Sequence, residues 1–254
     1  MKFIAAGLSD VGLQREHNED SFCISPQHRL FVVADGMGGH RAGDVASKMA
    51  IHAVASFFDA TESEDATWPY AIDPRLSMDE NRLVAGVRLA NQRIFDTSVQ
   101  HAEMHGMGTT VVALFYSTTK ERVFIAHVGD SRAYRIRDGE ILQLTRDHSL
   151  VNDYLAVMPD MPQEQLDELP KNVITRALGM QEGVAVDLTA DEPAPGDVYL
   201  LCSDGLSGML HDSTILEITE RAGDDVEAAA RKLVEAANDA GGDDNITVVV
   251  VKFL

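Results

Sequence analysis

Five short acidic segments hold the side chains best suited to chemistry in this chain: Glu19-Asp20, Asp35-Gly36, Gly129-Asp130-Ser131, Ser203-Asp204-Gly205 and Asp243-Asp244-Asn245. Four of them read as lying where an apolar, strand-like run stops. Carboxylates at strand ends far apart in sequence can converge on one edge of a sheet, and a knot of unpaired negative charge is costly unless cations neutralise it. The pattern predicts a metal site.

Carboxylate oxygens, backbone carbonyls and water are the ligand set of hard cations such as Mg²⁺ and Mn²⁺. Zinc is disfavoured, because two isolated cysteines cannot build a structural site and the histidines are read as forming no ligand pair. A structural calcium site is the alternative, but the EF-hand loop with its terminal glutamate is absent. A single Asp-Gly after a strand is usually a turn. Here it follows Val32-Val33-Ala34 and again Leu200-Leu201-Cys202-Ser203, while Asp243-Asp244-Asn245 precedes the run Ile246 to Phe253, and this recurrence weakens the turn reading. Arg15, close to Glu19 and Asp20, adds a planar fork of donors suited to a phosphate dianion whose other oxygens the metals would share. The competing reading is a surface ion pair of Arg15 with Glu19 at helical spacing.

Alternating strand and helix blocks must position these groups. Phe3 to Ser9, Ser21 to Ser25 and Leu30 to Ala34 read as strands, the last two joined through Pro26-Gln27-His28. Val45, Met49, Ala53 and Phe57 mark one amphipathic helix, and Leu83, Val87, Ala90, Ile94 and Phe95 mark another. The segment Thr61 to Met78 between them reads as an irregular loop. A meander follows, with strands at Thr109 to Tyr116, Arg122 to Val128, Ala133 to Ile136 and Ile141 to Leu144, the last pair joined by a type I′ signal at Asp138-Gly139. The polar stretch from Asn152 to Asn172 predicts a small flap of one or two short helices. Asp197 to Ser203 and Ile246 to Phe253 are apolar strands separated by a helix that starts at Asp224-Asp225 and stops at Gly241-Gly242. Together these elements imply an α+β fold of two stacked antiparallel sheets with helices outside.

The chain has 254 residues with 45% apolar content, enough for a large core as one catalytic domain over 1–254. Its formal net charge of -20 repels nucleic acid and phospholipid surfaces alike. No apolar run approaches the roughly 20 residues that span a bilayer, and the start turns polar too soon for a signal peptide. The expectation is a soluble, cytoplasmic monomer. Cys23 and Cys202 lie in apolar runs and are expected to be buried thiols.

The motifs taken together resemble the metal-dependent protein phosphatases of the PP2C (PPM) family, bacterial branch. They are Arg15-x-x-Asn18-Glu19-Asp20, Asp35-Gly36-Met37-Gly38-Gly39, Gly129-Asp130-Ser131-Arg132, Asp147-His148-Ser149, Ile174-Thr175-Arg176-Ala177-Leu178-Gly179, Ser203-Asp204-Gly205 and Asp243-Asp244-Asn245, in family order from Arg15 to Asn245. The resemblance implies a four-layer α-β-β-α sandwich whose flap matches 152–172. It also implies that Asp35 bridges two tightly held ions, Mn²⁺ or Mg²⁺, with the Gly36 carbonyl on one and Asp204 and Asp244 on the other. Glu19 would act through metal-bound water or as a direct ligand. Asp130 with Asp204 would hold a third, weaker ion, and Arg15 would clamp the phosphate. The implied reaction is hydrolysis of phosphoserine and phosphothreonine in proteins by a metal-activated water, opposing a Ser/Thr protein kinase. Met37 stands where eukaryotic members carry histidine. His40 is the candidate acid for the leaving alkoxide, against a structural or outer-shell role. Met158 and Met161 either contact phosphopeptides or pack the flap down, and His148 and Ser149 either reach the cleft or cap the next helix. Two other functions compete: a catalytically weak pseudophosphatase that binds phosphoproteins, and a hydrolase of small phosphate esters with a deep pocket.

Overall fold

Strands rich in Val, Ile and Phe on both faces need an apolar layer on each side, and that requirement organises the whole chain. The computed structural model describes every residue except 39–41, 63–67, 163–164, 167–168 and 171–172. Its strands are β1 (Phe3–Asp10), β2 (Asp20–Ser25), β3 (Leu30–Met37), β4 (Gly108–Thr109), β5 (Val111–Ser117), β6 (Arg122–Val128), β7 (Arg132–Arg137), β8 (Glu140–Gln143), β9 (Asp187–Asp191), β10 (Val198–Cys202) and β11 (Ile246–Phe253). One antiparallel sheet runs β1-β11-β10-β7-β8; the other runs β2-β3-β5-β6-β9, with β4 paired to β3. The helices are α1 (Ala42–Ala60), α2 (Met78–Gln100), α3 (Leu150–Val157), α4 (Asp204–Ser207), α5 (Asp212–Ala222) and α6 (Val226–Asp239).

Period-two alternation sorts side chains into three apolar layers. On β3, Leu30, Val32 and Ala34 pack under α1 and α2, while Phe31 and Val33 face the other sheet. On β11, Val248 and Val250 face α5 and α6, while Val249, Val251 and Phe253 point inward. The result is the expected four-layer sandwich. α2 begins with a capping box in which the Ser77 hydroxyl accepts from the Glu80 N–H and the Glu80 carboxylate accepts from the Ser77 N–H. Such a cap contributes about 1 kcal/mol. Asp225 caps α6, and Gly241 and Gly242, both at positive φ, turn the chain out of it.

The inter-sheet layer ends in polar residues. One step of alternation beyond the last inward apolar residue stand Asp20 on β2, Asp35 on β3, Ser203 after β10 and Thr247 on β11, joined by Thr110 and Ser131. These side chains form a floor at one end of the sandwich.

Several expectations need correction. Three acidic segments follow or end a strand (β3, β6, β10), whereas Glu19-Asp20 and Asp243-Asp244-Asn245 lead into β2 and β11. The expected single strand from Thr109 is split at Thr110 into β4 and β5. The meander is shared between the two sheets, because Gly129-Asp130-Ser131 carries the chain from β6 in one to β7 in the other. β9, α4 and α5 were not expected. α3 starts at Leu150, ahead of the anticipated flap boundary, and part of 152–172 lies outside the described residues. Ser149 caps α3, accepting from the Asn152 N–H. Cys202 is buried but Cys23 only half-buried, and both are free thiols.

Candidate active site

The acids gather on the polar floor. Asp20 is 6% exposed; its Oδ2 accepts from Ser203 Oγ at 2.8 Å, and the same oxygen of Ser203 accepts from the Thr247 N–H at 2.9 Å. Asp35 lies two residues from the end of β3, opposite Asp20 in the β2–β3 register. Asp130 occupies the crossing between sheets, Asp204 opens α4, and Asp244 lies two residues before β11. Gly36 is required by close approach: a Cβ there would lie 2.1 Å from the Gly43 carbonyl oxygen and 2.5 Å from that of Glu19. Only glycine lets the start of α1 and the Glu19 segment close on the Asp35 strand end.

Burial and mutual repulsion leave Asp20, Asp35, Asp130 and Asp204 holding protons tightly. Asp20 is pushed up to about 7, first by burial and then by Asp204 and Asp244, against the nearby hydroxyls of Thr247 and Ser203, which pull it down. Asp130 is also pushed up to about 7, by burial and by Asp204. Asp35 rises well above the ordinary range through burial and the charges of Asp20, Asp204, Asp130 and Asp244. Asp204 is raised by burial and Asp244, and Glu19 by burial. Among the described residues, Arg15 meets one of these acids directly: its Nη2 donates to Asp244 Oδ2 at 2.7 Å. Its partner is therefore Asp244, not Glu19 at helical spacing.

Two buried oxygens, Asp20 Oδ1 and Asp204 Oδ1, have no hydrogen-bond partner among the described residues. Buried acids of one sign with orphaned lone pairs fit divalent cations, which supply the missing charge and the missing bonds together. An all-oxygen set favours Mg²⁺ or Mn²⁺, ions that retain several waters and need few protein ligands each.

A second cluster has the composition of a metal site but not its geometry. His127, His148 and Asp187 bring ligand atoms within 4.8 Å of one another. The two imidazoles are stacked, 4.7 Å apart and 11° from parallel, so their in-plane lone pairs do not converge. The Arg176 guanidinium already lies 2.9 Å from His148 Nε2 and 2.6 Å from Asp187 Oδ1. His101 and His105 do carry i, i+4 spacing, contrary to the reading of the histidines as unpaired. They flank a 3₁₀ turn at Ala102–Met104, so they do not share the face of an α-helix.

Of the residues singled out from sequence, Arg15, Glu19, Asp35, Gly36, Asp130, Asp204 and Asp244 lie around one floor, linked by the contacts and charge interactions above. His40 lies outside the described residues. His148 is buried beneath the Asp130 loop: Nδ1 accepts from the Gly129 N–H at 3.0 Å, and its backbone N–H donates to the Gly129 carbonyl at 2.9 Å. Sequence reasoning gave no role to Asp20, Thr110, Ser203 or Asn245. For Asp20 and Asn245 the signal was their place inside motifs already noted.

Comparison with known proteins places this arrangement. Residues 14–246 match the sequence profile of Protein phosphatase 2C. The chain is 39% identical over 245 residues to serine/threonine protein phosphatase PstP of Mycobacterium tuberculosis, covering 96% of this chain and 44% of that protein. It therefore spans less than half the length of that relative. It is 35% identical over 252 residues to serine/threonine phosphatase stp of Listeria welshimeri, covering 96% and 93% of the two chains. A crystal structure of the PstP catalytic domain in complex with two manganese ions superposes with a TM-score of 0.80 at 38% identity, covering 98% of this chain and 97% of that one. The chain belongs to the protein phosphatase 2C family.

Proposed function

We infer that this protein hydrolyses phosphoserine and phosphothreonine in proteins, using divalent cations held on the acidic floor. The observation that carries the reading is the convergence of Asp20, Asp35, Asp130 and Asp204 as mutually destabilised carboxyls beside Asp244 and its Arg15 partner. Asp35, Asp204, Asp244 and the Gly36 carbonyl would hold two ions, with Glu19 acting directly or through water. Asp130 with Asp204 would hold a third, weaker ion. Such ions, Mn²⁺ or Mg²⁺, supply positive charge to phosphoryl oxygens and lower the pKa of adjacent water. Arg15 orients the phosphate with paired hydrogen bonds and offsets charge that grows on its oxygens. Asp20 keeps the floor in register through Ser203 and Thr247.

Phosphorylated proteins, including a Ser/Thr kinase or its targets, are the proposed partners. The net charge of -20 argues against nucleic acid and anionic membranes, and no helix among the described residues is long and apolar enough to cross a bilayer. Two free thiols agree with a cytoplasmic site of action. Layers that share one inner core support a single domain, proposed to act as a monomer. The test is phosphate release from phosphothreonine and phosphotyrosine peptides with Mn²⁺, with Mg²⁺ and with chelator. Metal-dependent release from the phosphothreonine peptide is expected; none under any condition would favour the pseudophosphatase.

A further inference from the structure

The β3 ladder is interrupted between Val33 and Gly36, and the interruption involves Asp35. Val33 stands opposite Val112 on β5 and Gly36 opposite Thr109 on β4, so the register is continuous and Asp35 faces Thr110. An antiparallel pair at this position would normally exchange two backbone bonds. Only one forms, from the Thr110 N–H to the Asp35 carbonyl at 2.8 Å. The Asp35 N–H donates instead to the Thr110 hydroxyl, Oγ1, at 3.1 Å. A side chain has taken the place of a backbone acceptor.

That hydroxyl has a second partner. Thr110 Oγ1 lies 2.6 Å from Ser131 Oγ, one hydroxyl donating to the other, and both residues are at most 1% exposed. Ser131 directly follows Asp130. On the other side of Asp130, Gly129 adopts a φ of +109°, and a Cβ there would lie 2.6 Å from both Cβ and Cγ2 of Thr110. The Thr110 side chain thus touches both neighbours of Asp130, the methyl packing on Gly129 and the hydroxyl bonding Ser131. His148 holds Gly129 from the far side through two hydrogen bonds. The loop carrying Asp130 is thus held by His148 on one side and by Thr110 on the other.

We propose that Thr110 is a positioning residue whose hydroxyl fixes the backbone of Asp35 relative to the Asp130 loop, so that the acids of the floor keep the separation their cations require. This rests on the metal-dependent reading above. The bond inventory separates it from a packing role: Thr110→Val keeps the methyl against Gly129 but strands the Asp35 N–H and the Ser131 hydroxyl, whereas Thr110→Ser does the reverse.

The experiment is an Mn²⁺ binding isotherm by calorimetry, run beside steady-state hydrolysis of a phosphothreonine peptide, for wild type, Thr110→Val and Thr110→Ser. Outer partners of metal ligands typically carry about 10- to 100-fold in affinity or activity. A loss of that size in Mn²⁺ affinity and kcat is expected for Thr110→Val, with KM little changed. Thr110→Ser should stay within about 3-fold of wild type, although its melting temperature falls with the lost methyl. Wild-type isotherms and kcat for Thr110→Val, or a serine variant as impaired as the valine one, overturn the proposal. Should Thr110→Val fail to fold, Ser131→Ala decides: it breaks the same link while leaving the Asp35 N–H bonded, and unchanged Mn²⁺ affinity and kcat there would also overturn it. A wild type that binds Mn²⁺ yet releases no phosphate defeats the phosphatase reading alone, because the isotherms still report on Thr110.

Discussion

Arg15 Nη2 and Asp244 Oδ2 meet at 2.7 Å across 229 residues of sequence, tying the proposed phosphate clamp to a proposed metal ligand. Both side chains are more than one-third exposed, so the pair is worth at most about 1 kcal/mol. The guanidinium can leave Asp244 for a phosphate at little cost, the more readily once a cation claims the carboxylate. Paired charge-assisted bonds to phosphate carry on the order of 2–3 kcal/mol. Arg15→Ala is therefore expected to lower kcat/KM by about 30- to 150-fold while Mn²⁺ affinity stays close to wild type. Lysine at this position should recover only part, because it lacks the fork. Unchanged steady-state parameters for the alanine variant would remove Arg15 from the clamp.

Asp35 faces four other acids, and burial and their charges raise its carboxyl well above the ordinary range. Asp35→Asn keeps the shape and removes the charge. Hydrolysis should fall to background, while the melting temperature in chelator should be no lower than wild type, since among the described residues no basic side chain pairs with this carboxylate. A variant that instead loses stability in chelator would make Asp35 a structural residue.

The acids were legible because strand ends marked by Asp-Gly can be read from local spacing, and because Phe31-Val32-Val33-Ala34 announces a strand buried on both faces. What supports them was not. Thr110, Ser131 and Ser203 are single hydroxyls without diagnostic spacing, and each gains its meaning from a partner brought in by another strand. Asp187–Asp191 shows no apolar run, yet it forms an edge strand because β6 offers an unpaired side. The three-residue link Gly129-Asp130-Ser131 resembles a hairpin turn in sequence; only packing decides that it crosses between sheets.

The elevated carboxyls of Asp20 and Asp130 make a pH prediction for the protein without divalent cations. Each is held near 7 in the fold against an ordinary value of 3.8. A carboxyl that binds its proton more tightly folded than unfolded stabilises the fold while protonated, and that advantage shrinks as pH rises from about 4 to about 7. In chelator the melting temperature should therefore fall across this window, by on the order of 5 °C, and level off above it. Saturating Mn²⁺ should reverse the fall at pH 7.5 and do little at pH 5, where protons compete for the same oxygens. A flat melting profile in chelator between pH 5 and 7.5 would show that the acids do not share the buried floor described.

Asn245 ties the start of β11 to the segment that carries Arg15 and Glu19. It is 6% exposed; its Oδ1 accepts from the Glu19 N–H at 2.8 Å, and its amide donates to the carbonyls of Val11 and His17, both at 2.9 Å. Asn245→Asp retains the bond to Glu19 but sets an acceptor against two carbonyls and adds a charge next to Asp244. Leaving two buried acceptors unpaired costs about 1–3 kcal/mol each at most, less whatever water recovers. A melting temperature lower by about 4–8 °C is expected at neutral pH, with a raised KM for the phosphopeptide as the Arg15 segment loosens. Below the pKa of the new carboxyl a proton restores one donor, so part of the stability should return at pH 4.5 relative to wild type. The backbone bonds from Leu13 and Gln14 to the Gly242 carbonyl, at 2.8 and 3.2 Å, would remain. An Asn245→Asp protein with wild-type melting temperature and KM would mean those two bonds suffice to hold the segment, and that Asn245 does not position Arg15.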